Sequence, residues 1–200
     1  MLSGLLAVNK PIQKTSHDIV AAARKCLKQK KIGHFGTLDP FAEGVLILAL
    51  GKATKFFDFY LSKRKSYSGI VKFGYATTTY DREGDVDSER TTPDLYSINL
   101  KEIISGFIGK QSQLPPMYSA KKVNGKPLYK YAREKKDISR KPAEVEIYSF
   151  EYDILDPTEL RFTVEVSSGT YIRSIAHDLG VKTGYGAFLE SLKRESVGEI

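Results

Sequence analysis

Cysteine is almost missing from this sequence, and that absence alone removes several classes of protein. The single thiol, Cys26, cannot form an internal disulfide framework or a cysteine-based zinc cluster. Histidine is scarce as well, with three residues scattered along the chain, so a structural metal site is not expected. No apolar run approaches the ~20 residues that a membrane-spanning helix needs. The N-terminus, Met1 to Lys10, has no basic region before its short apolar stretch and does not read as a signal peptide. Internal repeats, linkers and low-complexity tracts are also lacking. These absences point to a cytoplasmic protein. What is present is ordinary globular material: 200 residues, 41% hydrophobic and 28% charged, enough for one domain with its own core.

Charge is unevenly placed. The chain carries a formal +7, yet ten basic residues lie between Lys110 and Lys141 against only Glu134 and Asp137. That segment therefore holds a net +8 and leaves the remainder close to neutral. Tyr118, Tyr129 and Tyr131 are interleaved with the lysines and offer stacking surfaces for unpaired bases. The pattern suits an element that contacts a polyanion, and equally a solvated lysine-rich loop.

Periodicity supplies a coarse map. Leu5–Val8 and Val45–Leu50 read as strands, the second apolar throughout and suited to a buried position. Thr15 or Ser16 caps a helix expected to run to about Lys30, with Ile19, Val20, Ala23 and Leu27 on one face. Cys26 adjoins that face and reads as a small buried residue. Ile32–Glu43 reads as a loop, Ala53–Leu61 as a short helix and Tyr67–Gly74 as a strand. Asp81–Asp94 is acidic and turn-rich, and Leu100–Ile108 has helical spacing. The basic segment reads as a hairpin or extended loop around Asn124-Gly125. Val145–Ile154 and Leu160–Val166 alternate like paired strands, Tyr171–Leu179 is a helix ended by Gly180, and Phe188–Leu192 a short final element. Without regular alternation of strands and helices, the class is α+β with a mixed, largely antiparallel sheet flanked by helices.

Several familiar motifs fail on inspection. Gly51-Lys52-Ala53-Thr54 resembles the end of a phosphate-binding loop, but Leu46 stands where its first glycine is required. Asp81 to Asp87 is acidic enough for a calcium loop, but its glycine falls at the wrong place. It reads as a solvated acidic loop rather than a metal-dependent nuclease cluster of Asp81, Asp85 and Asp87. His177-Asp178 lies near serines without a nucleophile-elbow pattern, so His177 reads as structural.

One irregular loop remains, Gly33 to Leu46, in which three glycines and a proline surround a single aspartate, Asp39. Its pattern, Gly-His-x-Gly-Thr-Leu-Asp-Pro-x-Ala-x-Gly-Val-Leu, closely resembles the catalytic motif of the bacterial tRNA pseudouridine-55 synthase family (TruB). Further matches follow in the family's order: Asn9-Lys10-Pro11, Gly51 to Lys55, Lys65-Ser66-Tyr67, Thr77–Gly84, Gln113 to Lys122, Ser168 to Ser174 and Leu192-Lys193-Arg194. The resemblance spans nearly the whole chain. Phe35 and Glu43 depart from the usual residues, threonine and a small side chain respectively. Members of the family commonly continue into a small C-terminal PUA-like RNA-binding domain, which is expected to be absent from a chain ending at Ile200.

The resemblance implies a pseudouridine synthase fold over residues 1–200, with an inserted basic thumb at about 110–141, acting on the T stem-loop of tRNA. It implies no redox step, group donor, metal or cofactor, no membrane and no required protein partner, so a monomer is expected. Asp39 corresponds to the catalytic carboxylate, which attacks C6 of the base, attacks C1′, or abstracts the 2′ proton; the sequence leaves these three open. A sheltered carboxylate needs a cation beside it, and Arg173 is implied as a bidentate partner. Tyr67 corresponds to the tyrosine that stacks on uracil and manages the C5 proton. Tyr171 lines the same pocket and Leu192 packs against the other side of the base. His34 corresponds to the histidine that inserts into the space left by a flipped base. Lys10 is grouped with the binding residues as a support near the site, and Lys121 and Lys122 as thumb residues facing RNA. Two other readings stay open: a guide-directed relative acting on other RNA, and a tRNA-binding or folding protein with secondary catalysis.

Overall fold

A computed structural model describes residues 2–134, 136 and 138–200. Its frame is an eight-stranded sheet built from strands β1 (Gly4–Lys10), β3 (Glu43–Leu50), β10 (Ala187–Val197), β4 (Lys65–Phe73), β9 (Glu159–Val166), β8 (Ala143–Asp156) and β5 (Gly109–Gln113), in that spatial order. The eighth strand, β2 (Ile32–Phe35), pairs with β3. Every named pairing is antiparallel except the brief parallel contact of β10 with β3, at Lys193 with Glu43 and Arg194 with Gly44. The expected α+β class with a largely antiparallel sheet is therefore what forms. Among the described residues no helix is long and apolar enough to cross a membrane.

Helices cover the sheet where its strands are most apolar. Helix α1 (Ser16–Cys26) starts at a complete capping box: Thr15 accepts from the Asp18 amide while the Asp18 side chain accepts from the Thr15 amide. Its Val20 packs on Ile32, Leu46, Leu48 and Leu50, the alternate residues of β2 and β3. Ile47 and Ala49 point to the opposite face and pack with Phe35, Ala53 and Val197. Helix α5 (Ile172–Thr183) buries Ile172, Ile175, Ala176 and Leu179 in the larger core formed with β4, β8, β9 and β10. A 3-10 turn (Gly51–Phe56) runs into α2 (Phe57–Leu61), and α3 (Leu100–Ser105) is capped by Asn99. Between β5 and β8 the basic segment folds into a minimal hairpin, β6 (Lys122–Val123) and β7 (Lys126–Pro127), followed by α4 (Leu128–Arg133). Asn124 and Gly125 both take positive φ, 51° and 77°, as a two-residue hairpin turn requires.

Six local expectations are corrected. Helix α1 stops at Cys26 because Lys28 turns left-handed (φ 49°), and Cys26, one residue round the helix from Leu27, is exposed rather than buried. The stretch Ile32–Glu43 is not all loop: its first four residues form β2. Helix α5 runs through Gly180 and ends at the left-handed Gly184. Gly180 is instead a close-approach residue, since a Cβ there would lie 2.1 Å from the Ala187 nitrogen. The last element is an eleven-residue central strand with two bulges, not a short piece at Phe188–Leu192. The basic segment contains a helix beside the expected hairpin.

Candidate active site

Asp39 sits in the β2–β3 connection, and its neighbours are clamped from several sides. The Ser16 hydroxyl accepts from the Leu38 amide at 2.9 Å, and the Gln13 amide donates to Pro40 O at 2.8 Å. Lys10 is completely buried and its ammonium is engaged with carbonyls: it donates to Lys14 O (2.7 Å), Pro11 O (2.9 Å) and Pro40 O (3.4 Å). Burial holds its pKa below the usual lysine range, with Arg194 adding to the depression and Asp39 opposing it. Lys10 therefore braces the backbone next to Asp39 and does not line the cleft.

Arg173, in the first turn of α5, reaches Asp39 from a buried position: its Nε lies 2.9 Å from Asp39 Oδ2. The expected bidentate fork onto Asp39 does not form. The other nitrogens are engaged elsewhere, Nη1 with Thr79 O at 3.0 Å and Asp81 Oδ2 at 3.4 Å, and Nη2 with Tyr118 O at 2.9 Å. One guanidinium thus ties together four segments, and its planar set of donors is what permits this. The side chain of Asp39 keeps 35% of its surface exposed, against 6% for Asp81.

Asp81 is one of three site residues to which the sequence assigns no role, with Lys65 and Arg194. The acidic loop was read as solvated, yet Asp81 is buried; its Oδ1 accepts from the Thr79 hydroxyl (2.6 Å) and the Glu83 amide (3.0 Å). Desolvation pushes its pKa up, and the Thr79 hydrogen bond, Arg173 and the Glu83 amide act against that rise. A backbone bridge to Leu189 of β10 fixes the loop in place. The only signal in the sequence was the glycine-terminated run Thr77–Gly84, and a Cβ at Gly84 would lie 2.7 Å from the Thr79 nitrogen.

On one side of the Asp39–Arg173 pair lies a cleft of about 260 Å³. Tyr67, Tyr171 and Leu192 line it with Asp39 and Arg173, so five of the nine expected site residues meet in one place. Tyr67 stands on β4 directly opposite Arg194 of β10 and is buried. Burial raises its pKa, while the Arg194 guanidinium pulls it down. Burial likewise raises Tyr171, against the pull of the Ser119 hydroxyl. Lys65 and Arg194 complete the floor; the sequence places both in matched motifs but assigns neither a role in the site. Arg194 is fully buried and donates to Val45 O (2.7 Å) and Gly36 O (3.1 Å). Lys65 donates to Leu61 O and Lys63 O, and burial helped by Arg194 brings its pKa down to about 8.

The remaining expected residues lie apart from this cleft. His34 shares the α1-facing side of β2 with Ile32 and meets His17 edge to face, 5.4 Å between centroids; its Nδ1 is buried and has no hydrogen-bond partner among the described residues. Lys121 donates to Lys141 O at 3.4 Å, and Lys122 is exposed on the small hairpin. A second cavity of about 480 Å³ opens on the other side of Asp39 and Arg173, walled by His17, Asp81, Tyr118, Tyr129 and Arg133. The arrangement can hold an ionised carboxylate beside a planar, partly apolar ligand, with aromatic rings, a buried hydroxyl and fixed cations around it.

Comparisons with known proteins agree with this geometry. Residues 24–172 match the family model described as TruB family pseudouridylate synthase (N terminal domain). The tRNA pseudouridine synthase B of Geotalea uraniireducens is 47% identical over 197 residues, 98% of this chain and 64% of that protein. Its counterpart from Opitutus terrae is 44% identical over 199 residues, spanning 100% of this chain and 83% of that one. The chain thus spans just under two thirds of the Geotalea relative. Among solved structures, a Cbf5-Nop10-Gar1 complex aligns with a TM-score of 0.73 and 29% identity, over 98% of this chain and 50% of that one. An H/ACA RNP bound to a substrate RNA containing 2′-deoxyuridine aligns with a TM-score of 0.70 and 27% identity, over 98% and 47%. Fold, motif order and sequence relationship converge, and the chain belongs to the TruB family of pseudouridylate synthases.

Proposed function

We propose that this chain isomerises a T-loop uridine of tRNA to pseudouridine. The observation that carries the reading is the partly exposed Asp39 carboxylate, held by the buried Arg173 in a cleft shared with Tyr67 and Leu192. In the reaction the N1–C1′ bond breaks, the uracil turns, a C5–C1′ bond forms, the C5 proton leaves and N1 is protonated. No atom is gained or lost, so the cleft must supply position, an ionised carboxylate and a path for one proton. Arg173 fixes the orientation of the Asp39 carboxyl group through its 2.9 Å contact; Asp39 then attacks C6, attacks C1′, or takes the 2′ proton. Tyr67 keeps its hydroxyl proton at neutral pH because burial disfavours the phenolate, so its ring stacks and its oxygen serves the C5 proton only as that proton moves on. Arg194 opposite lowers the energy of any negative charge developing there. Leu192 and Tyr171 shape the two sides of the base.

A T-loop uridine is stacked in folded RNA and must be extruded first, at an expense of a few kcal/mol. His34 would fill the vacated space, and the segment from Lys110 to Lys141 would hold phosphates. The tRNA reading is preferred over a guide-directed one because the two relatives named for tRNA above are 44% and 47% identical, against 27–29% for the chains of the H/ACA RNP and Cbf5-Nop10-Gar1 structures. The deciding experiment incubates the protein with a T stem-loop transcript and separates the digested nucleosides by chromatography, since product and substrate have equal mass. Pseudouridine at the T-loop position is expected. Its absence under conditions where the protein is folded and binds the RNA overturns the reading.

A further inference from the structure

Gln113 closes β5, near the start of the segment that carries the excess charge, and it is buried. Its carboxamide engages both backbone groups of Tyr171. The Tyr171 amide donates to Gln113 Oε1 at 2.7 Å, and Gln113 Nε2 donates to Tyr171 O at 3.0 Å. A carboxamide carries the same donor and acceptor as a peptide, so this is a rung of strand pairing made by a side chain. Tyr171 precedes the first turn of α5 and has no side-chain cap of its own, so Gln113 fixes how the helix begins.

Two more bonds run between the same two stretches. The Ser174 hydroxyl donates to Leu114 O at 3.1 Å, and Arg173 Nη2 donates to Tyr118 O at 2.9 Å. Four hydrogen bonds therefore stitch residues 113–118 to residues 171–174. On one side of the seam the chain continues into the basic hairpin and α4. On the other stand Tyr171 and Arg173, both in the wall of the cleft. Of the four bonds, two belong to Gln113, the one residue among 113–118 that contributes a side chain to them. The other two bonds use that segment's backbone carbonyls, which no substitution there removes.

We propose that Gln113 is a positioning residue: its clasp on Tyr171 makes the root of the basic segment and the start of α5 one unit, so that RNA held by the segment sets the placement of Tyr171 and Arg173. This rests on the reading of the chain as an RNA uridine isomerase. Misplacing a catalytic group by about 1 Å is worth on the order of a hundredfold in rate, and that is the scale of effect the clasp controls.

The test compares Gln113→Leu, which keeps the bulk and loses both bonds, with Gln113→Glu, which keeps the acceptor for the Tyr171 amide and loses the donor. Gln111→Leu is the control, because Gln111 lies on the same strand and donates only to Gly106 O. Melting temperature, affinity for a T stem-loop, single-turnover rate and amide hydrogen exchange are measured for each. Gln113→Leu is expected to bind RNA like the wild type, to lose about ten- to a hundredfold in single-turnover rate, and to exchange faster in residues 114–119 and 171–175 together. Gln113→Glu falls between, and Gln111→Leu matches the wild type. The proposal fails if Gln113→Leu reacts at the wild-type rate, if its loss is fully explained by a smaller folded fraction, or if only one stretch exchanges faster. A wild-type protein that leaves the T-loop uridine unconverted defeats the proposed function instead, and the paired exchange response then decides the clasp alone.

Discussion

Arg194 gives the sharpest test of how the cleft floor is held. It is 1% exposed, and among the described residues no carboxylate lies within ion-pairing distance of it. Its charge is stabilised by backbone carbonyls, Val45 O and Gly36 O, which flank Asp39 in the chain. In Arg194→Met the buried charge disappears, which is favourable, but two part-buried carbonyls lose their donor. Each such loss costs about 1–3 kcal/mol, and hydrogen bonds from charged donors sit at the upper end. Relief of the buried charge offsets part of this, so a net destabilisation of about 2–4 kcal/mol is expected. Arg194→Lys can satisfy one carbonyl and should fall between the two. Two titrations move as well: without Arg194 the Lys65 ammonium should titrate above its present value of about 8, and the Tyr67 hydroxyl should move still higher. Urea unfolding at neutral pH measures the first effect, and the pH dependence of stability the second. An Arg194→Met protein within about 0.5 kcal/mol of wild type would show that the carbonyls find other donors, and the account of the floor would be wrong.

Asp39→Asn should abolish pseudouridine formation while leaving T stem-loop binding intact, and Arg173→Lys should fall nearly as far because one ammonium cannot serve Asp39, Asp81, Thr79 and Tyr118 at once; single-turnover assays beside binding measurements check both. Because the folded-state pKa of Lys65 lies below that of the unfolded chain, the unfolded state binds more protons between pH 8 and 10.5, so this group makes stability rise with pH there, by about 1–3 kcal/mol in all. Lys65→Met should flatten that rise in urea titrations, and above about pH 10 the raised Tyr67 and Tyr171 act in the opposite sense. Gly44→Ala should lower the melting temperature by about 5–12 °C, since Gly44 has φ 109° and a Cβ would lie 2.2 Å from Arg194 O. Neutralising Lys121, Lys122 and Lys126 together should reduce the slope of log affinity against log salt by about two units if all three contact phosphate.

The sequence was most legible where one physical rule acted alone. The apolar run Val45–Leu50 became a buried strand, and Thr15 with Asp18 became a capping box. It was least legible where tertiary contacts overrode local composition. Gly109 to Gln113 contains no β-branched or aromatic residue, yet it pairs with β8. Residues 187–197 carry Glu190, Lys193 and Glu195, which hide a central strand whose bulges re-aim the side chains. In the site, Asp39, Tyr67, Tyr171, Arg173 and Leu192 were found because motif resemblance supplied their roles, and the fold brings them into one cleft. Asp81 was not, because an aspartate followed by Arg82, Glu83 and Gly84 in an acidic run reads as solvent-exposed until β10 is known to pass beside it.

The net charge of the chain hides two populations of cations that do different work. Lys122 and its neighbours on the basic segment are solvated, so their contribution to RNA binding must weaken with salt. Lys10, Lys65 and Arg194 are buried and bound to carbonyls, so salt scarcely reaches them; Lys10 and Arg194 fix the backbone on both sides of Asp39, and Lys65 fixes residues 61 and 63 beside the cleft floor. The carboxylates divide in the same way. Arg173 touches both Asp81 and Asp39, but the buried Asp81 also holds Thr79 and Glu83, whereas Asp39 faces the cleft. The buried partner anchors the arginine in one orientation, and the exposed partner is left where a base can reach it. A single arginine shared unequally between two aspartates thus turns an ion pair into a directed one.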